Sequence, residues 1–263
     1  MAAISSCLSN PSNSLERLSL NHNQIGEQGA LALARGLVGN STLKKLDLRD
    51  CDIGTQGGIA LARALENNTM LEELDLYFAV SPGREGWVLS PVGWAIFFDS
   101  LKNCALRDLN LGGNTVGNEQ ITPLVEALDT MTSLAKLNLR GLDITPSGWI
   151  TFFSLMLRPG CIFERLGELY IYDNDITDDI MISIANALVG NTSLMTLDCF
   201  NFQGNITEKG WSAISDVMCN KRSIHTISDS NHTFCNGLSL GGSPLVDELQ
   251  ELNKGTNKAE VIR

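Results

Sequence analysis

Leu15-Glu-Arg-Leu18-Ser-Leu20, Leu43-Lys-Lys-Leu46-Asp-Leu48 and Leu71-Glu-Glu-Leu74-Asp-Leu76 decide the fold of this chain. Their first leucines are 28 residues apart, and the pattern returns at Leu106-Leu109-Leu111, Leu134-Leu137-Leu139, Leu166-Leu169-Ile171 and Leu194-Leu197-Cys199. A degraded eighth copy begins at Ile224-Ile227. Successive spacings are 28, 28, 35, 28, 32, 28 and 30, so the third, fifth and seventh units carry insertions. Self-similarity at such a period marks a stacked array of small supersecondary units.

Each unit has two halves. The leucine-bearing half has period two, so alternate residues point to opposite faces of a short strand. The second half, as in Gly29-Ala30-Leu31-Ala-Leu33-Ala34-Arg-Gly-Leu37, repeats Leu and Ala at three- and four-residue spacing, the signature of an amphipathic helix. Gly39 and Gly190 stand just past such helices, where a left-handed cap is expected. One strand and one helix cannot bury their own apolar faces, so neighbouring units must do it for each other. The expected architecture is an α/β solenoid of about eight strand-helix units, a horseshoe with a concave parallel β-sheet and convex helices.

The pattern of leucines, the Asn at the ninth position (Asn23, Asn114, Asn174) and the following helix resemble the ribonuclease-inhibitor-like leucine-rich repeats, seen also in NLR receptors and Ran GTPase-activating proteins. The resemblance runs over nearly all of residues 15–236. It implies a protein-binding fold and leaves the partner open. Cys51 takes the ninth position in the second unit. Ala79, Leu142 and Phe202 take it in the three units with insertions, where a rebuilt turn is expected. Residues 1–14 read as the end of a preceding repeat, and 237–263 as a truncated C-terminal helical cap, with Leu245, Val246, Leu249 and Leu252 on one face after Pro244.

In such an array the residues flanking the buried leucines face the concave side. Tyr77, Tyr170, Tyr172 and Phe200 are then exposed aromatics on a polar sheet, joined by Arg49, Arg140, Asp75 and Asp198. Aromatics and arginines dominate interface hot spots, although lateral packing between strands also favours aromatics. The insertion at 79–91 offers Arg84 and Trp87 as loop contacts, with Trp87 read equally well as a plug in a widened repeat. Trp94, Trp149 and Trp211 each follow a Gly near a helix start and read as core, as does Ile162-Phe163.

Chemistry finds no footing. The three histidines and the scattered serines form no metal-ligand spacing and no nucleophile elbow, and no phosphate loop occurs. No catalytic residues, metal, cofactor or small-molecule substrate are expected. Thirty acidic against 19 basic residues give a net charge of -11, which disfavours nucleic acid and suits a basic protein partner. No apolar run is long enough to span a membrane. Seven cysteines without a CxxC pair favour reduced thiols in the cytoplasm. Asn-x-Ser/Thr triplets at Asn40, Asn67 and Asn191 fall at one point of the repeat and read as a structural turn. The leading function is a protein–protein interaction module or scaffold, using the concave face and the 79–91 loop. The alternative is a small-GTPase regulator resembling the Ran GTPase-activating protein, with Arg84 presented to the nucleotide site.

Overall fold

Each of the seven leucine patterns from Leu15 to Cys199 centres a three-residue strand on its second leucine, because the apolar side chains must go inward while the residues beside them stay at the surface. The computed structural model describes residues 1–66, 68–78, 89–102, 104–199 and 206–218, with the backbone of 237–238. It divides into two compact units, Met1–Asp143 and Ile144–Arg263. The first holds α1 (Ala2–Leu8), β1 (Arg17–Ser19), α2 (Gly26–Leu37), β2 (Lys45–Asp47), α3 (Gly54–Leu65), β3 (Glu73–Asp75), α4 (Pro91–Leu101), β4 (Asp108–Asn110), α5 (Ile121–Thr130) and β5 (Lys136–Asn138). The second holds α6 (Pro146–Leu155), β6 (Glu168–Tyr170), α7 (Asp178–Leu188), β7 (Thr196–Asp198), α8 (Glu208–Met218) and β8 (Gly237–Leu238).

Strands β1 to β5 pair in sequence order, all parallel, with Leu18, Leu46, Leu74, Leu109 and Leu137 opposite one another. In the second unit β6 pairs with β7, and β7 with β8. The chain is thus an α/β leucine-rich repeat solenoid, with each of β1 to β7 followed by a helix. The eighth strand is Gly237–Leu238, with Leu238 opposite Leu197, whereas the expected copy at Ile224-Ile227 lies outside the described residues.

Backbone turns explain the conserved spacing within the chain. The Nδ2 of Asn114 donates to the carbonyls of Leu76 at 2.9 Å and Leu111 at 2.8 Å, and the Nδ2 of Asn23 and Asn174 donates to Leu20 and Ile171. Cys51 substitutes its thiol, 3.0 Å from the Leu20 carbonyl. Leu142 has no such group and is simply buried, while Ala79 and Phe202 lie outside the described residues. After the helices, Gly39 and Gly190 both take φ +72, the left-handed cap. The Oδ1 of Asn40, Asn68 and Asn191 then accepts the backbone N–H three residues on, at 2.8–3.0 Å. The structural turn is as expected at Asn40 and Asn191; in the second unit Asn68 makes it, and Asn67 lies outside the described residues. Residues 2–8 supply a helix whose last carbonyl, at Leu8, accepts from Asn40 as one repeat does from the next.

Longer units have larger cores. Where α2 and α3 place Ala30 and Gly58, α4 and α6 place Trp94 and Trp149, which are 1% and 0% exposed and pack edge-to-face on Phe97 and Phe152. Phe153 meets Phe163 of the fifth-unit insertion. Trp211, also expected in the core, is half-buried.

Candidate partner-binding face

Three rows of side chains cross the first-unit sheet on the side away from the helices. Strand pairing aligns Arg17, Lys45, Glu73, Asp108 and Lys136 in one row, and Ser19, Asp47, Asp75, Asn110 and Asn138 in the next. Arg49, Tyr77, Gly112 and Arg140 follow two residues later. Over β1–β5 the first two rows and Arg49 line a groove of 390 Å³.

The middle row is Asp or Asn from β2 to β5 for a local reason that the sequence reading missed. Each Oδ1 accepts the backbone N–H two residues on: Arg49 to Asp47 at 3.2 Å, Tyr77 to Asp75 at 3.0 Å, Gly112 to Asn110 at 3.1 Å and Arg140 to Asn138 at 2.9 Å. These side chains close the strand ends, as Asx turns do elsewhere. The available signal was the restriction to Asp and Asn at one position of four successive repeats.

Charges on this face are largely matched. Arg49 forks onto Asp47, with Nε to Oδ1 at 3.0 Å and Nη2 to Oδ2 at 2.8 Å, and reaches Asp75 at 3.4 Å. Lys45 pairs with Glu73, and Lys136 lies 3.6 Å from Asp108. Burial opposes ionisation of Asp47, but the Arg49 hydrogen bonds and charge outweigh it and hold the carboxyl below its usual range. At Asp75 burial wins over the Tyr77 N–H and Arg49, and the carboxyl is pushed above its usual value. Hydrogen bonding to Asp47 in turn keeps Arg49 firmly protonated.

The aromatics are placed differently from the expectation of open side chains. Tyr77 is half-buried, and its ring lies over the bare Gly112 beneath the Arg140 guanidinium. Residues of the neighbouring repeats thus lie against this ring. In the second unit Tyr170 stands directly across from Asp198 and donates its hydroxyl to Glu168 at 2.9 Å, and Tyr172 is also half-buried. Phe200, Arg84 and Trp87 lie outside the described residues. So the face brings together Arg49 with Asp75, and Tyr77 with Arg140, in one unit, and Tyr170 with Asp198 in the other.

Among the described residues no cluster of His, Cys, Asp and Glu could hold a metal ion, and no helix is long and apolar enough to cross a membrane.

A family model described as Leucine Rich repeat matches residues 12–34, 39–62 and 102–119, spans that take in β1, β2 and β4. These three spans are similar to leucine-rich repeats. Among solved structures the chain is similar to Leiomodin-1 Actin-Binding Site 2 (ABS2), at 13% identity and a TM-score of 0.42, over 70% of this chain and 85% of that one. The repeats present a sheet face with fixed charges and rings, which suits recognition.

Proposed function

We propose that this chain is a protein-interaction module of the ribonuclease-inhibitor-like kind, holding its partner against the sheet face. The observation that carries the reading is the 390 Å³ groove on the first-unit sheet, bordered by Arg49 and continued by the Tyr77–Arg140 stack. Side chains held this firmly lose little freedom when a partner docks, which favours affinity. Tyr170, Tyr172 and Asp198 supply the corresponding face of the second unit, with Phe200 next in sequence. Residues 79–91, including Arg84 and Trp87, lead from β3 into α4 and serve as the second contact. A protein partner with basic surface fits the net charge of -11. Five described cysteines, all free thiols, fit a cytoplasmic scaffold or NLR-like setting.

The test is retention of proteins from cell extract on immobilised wild type beside Arg49→Ala/Arg140→Ala. Circular dichroism checks the fold of the variant. Loss of a defined protein from the variant alone is the expected result, and equal retention would remove the sheet face from the reading. Regulation of a small GTPase through Arg84 is the weaker reading, since no described residue favours it.

A further inference from the structure

The outward surface of the first-unit helices carries a charge pattern that sheet-face recognition does not use. Helices α2, α3, α4 and α5 are consecutive neighbours. In each, the second residue before the buried Leu37, Leu65, Leu101 or Leu128 is exposed. Those four residues are Arg35, Arg63, Asp99 and Glu126. They stand at one height along their helices, so the row reads two positive charges and then two negative ones. Asp99 touches Lys102 at 3.0 Å but keeps 75% of its side chain open.

About one turn earlier in the same helices runs an apolar row. Ile59 and Ala60 of α3 stand at the same heights as Ala95 and Ile96 of α4, all four half-buried, so large and small side chains alternate. Beyond them a groove of 380 Å³ opens between α4 and α5, lined by Val92, Ile96 and Pro123, with Asp99 and Glu126 also on its wall. Val92 is 69% exposed.

We propose that this face is self-complementary and joins two copies of the chain about a two-fold axis that runs between α3 and α4, parallel to them. Half a turn about that axis preserves height along the helices and reverses the order of each row. Arg63 of one copy then faces Asp99 of the other, and Arg35 faces Glu126. Ile59 faces the small Ala95, and Ala60 faces the large Ile96. A single patch thus serves both copies, as an isologous interface requires. It has an apolar centre and a charged rim, the usual anatomy of protein interfaces.

Sedimentation equilibrium over a range of concentrations tests this on the full chain. The mass is expected to rise from the 28.5 kDa of one chain toward twice that value. Arg63→Glu and Asp99→Arg each create two like-charge contacts per dimer, and each is expected to weaken self-association about tenfold or more. Mixed together, the two single variants regain association, because every introduced charge then meets its opposite. Both sites are exposed, so folding is preserved, which circular dichroism verifies. A chain that keeps the single-copy mass at every concentration overturns the proposal. So do reversals that associate like wild type, or a mixture that fails to regain association.

Discussion

The guanidinium carbon of Arg140 lies 5.6 Å from the centre of the Tyr77 ring, across Gly112 in the turn just past β4. Glycine leaves room for this approach. A Cβ on Gly112 would stand 3.1 Å from the Tyr77 ring and 3.2 Å from the Arg140 carbonyl. At the next residue, Gly113, φ is +74 and a Cβ would stand 1.8 Å from the Phe78 carbonyl oxygen, a backbone atom that cannot yield. Gly39 has a similar φ of +72 but open space around it.

Gly113→Ala is therefore expected to lose more than about 3 kcal/mol, or to fail to fold, whereas Gly39→Ala costs about 1–2 kcal/mol from the left-handed conformation alone. Urea unfolding of the two variants gives the comparison. Equal losses would mean that the close approach to Phe78 is not rigid.

Asn114 is 1% exposed, and its Nδ2 serves the carbonyls of Leu76 and Leu111, tying one repeat to the next. Asn114→Ala leaves both acceptors buried without that donor and is expected to cost roughly 2–4 kcal/mol. Cys51 does the same work with a weaker donor, so Cys51→Ala costs less and Asn114→Cys recovers part of the loss. Chemical denaturation of the three variants orders them; Cys51→Ala as the most damaging would contradict the account.

The two neighbouring carboxylates Asp47 and Asp75 are shifted in opposite directions, which fixes the sign of their pH dependence. The folded value of Asp47 is depressed, so its contribution is present above the ordinary carboxylate range and is lost as pH falls through the depressed value. The folded value of Asp75 is raised, so ionised Asp75 weighs against the fold above that value and ceases to do so in acid. At neutral pH, Asp47→Asn lowers stability by up to about 1 kcal/mol. Asp75→Asn, which keeps an acceptor for the Tyr77 N–H as Asn110 and Asn138 do for theirs, leaves stability unchanged or raised. Both differences vanish below the lower of the two values. Melting temperatures of the two variants across pH read this directly, and differences of the same sign at neutral pH would refute it.

Burial pushes the thiols of Cys51 and Cys104 up to about 11 and that of Cys199 to about 12, while Cys7 is exposed. Of these four, Cys7 alone is expected to react promptly with a thiol reagent near pH 8, since the thiolate is the nucleophile. Peptide mapping after brief labelling distinguishes the sites. Early modification of Cys199 would show that the second-unit core opens readily.

The repeat, its strand and helix halves, the side of the sheet each residue occupies and the buried Trp94 and Trp149 were all legible in the sequence. The physical reason is local. A strand alternates faces every residue, a helix returns every three or four, and both rhythms are written in the leucines. The glycine caps and the Asn turns were legible for the same reason, since each depends on the residues within a few positions of it. What the Asp and Asn of the middle row do was written in the pattern but needed the backbone geometry to be seen.

Tertiary structure alone decided the rest. Strand register set Tyr77 beside Gly112 and within reach of Arg140, which turned an expected open ring into a half-buried one. The opposite shifts of Asp47 and Asp75 arise because burial outweighs the hydrogen bonds and charge at Asp75, while the Arg49 fork outweighs burial at Asp47, a balance that no residue pattern encodes. The row of Arg35, Arg63, Asp99 and Glu126 becomes a surface only when four helices separated in sequence lie side by side. Sequence determines what each repeat buries because burial is set within the repeat. What the surface offers is decided between repeats, where side chains from different strands and helices meet.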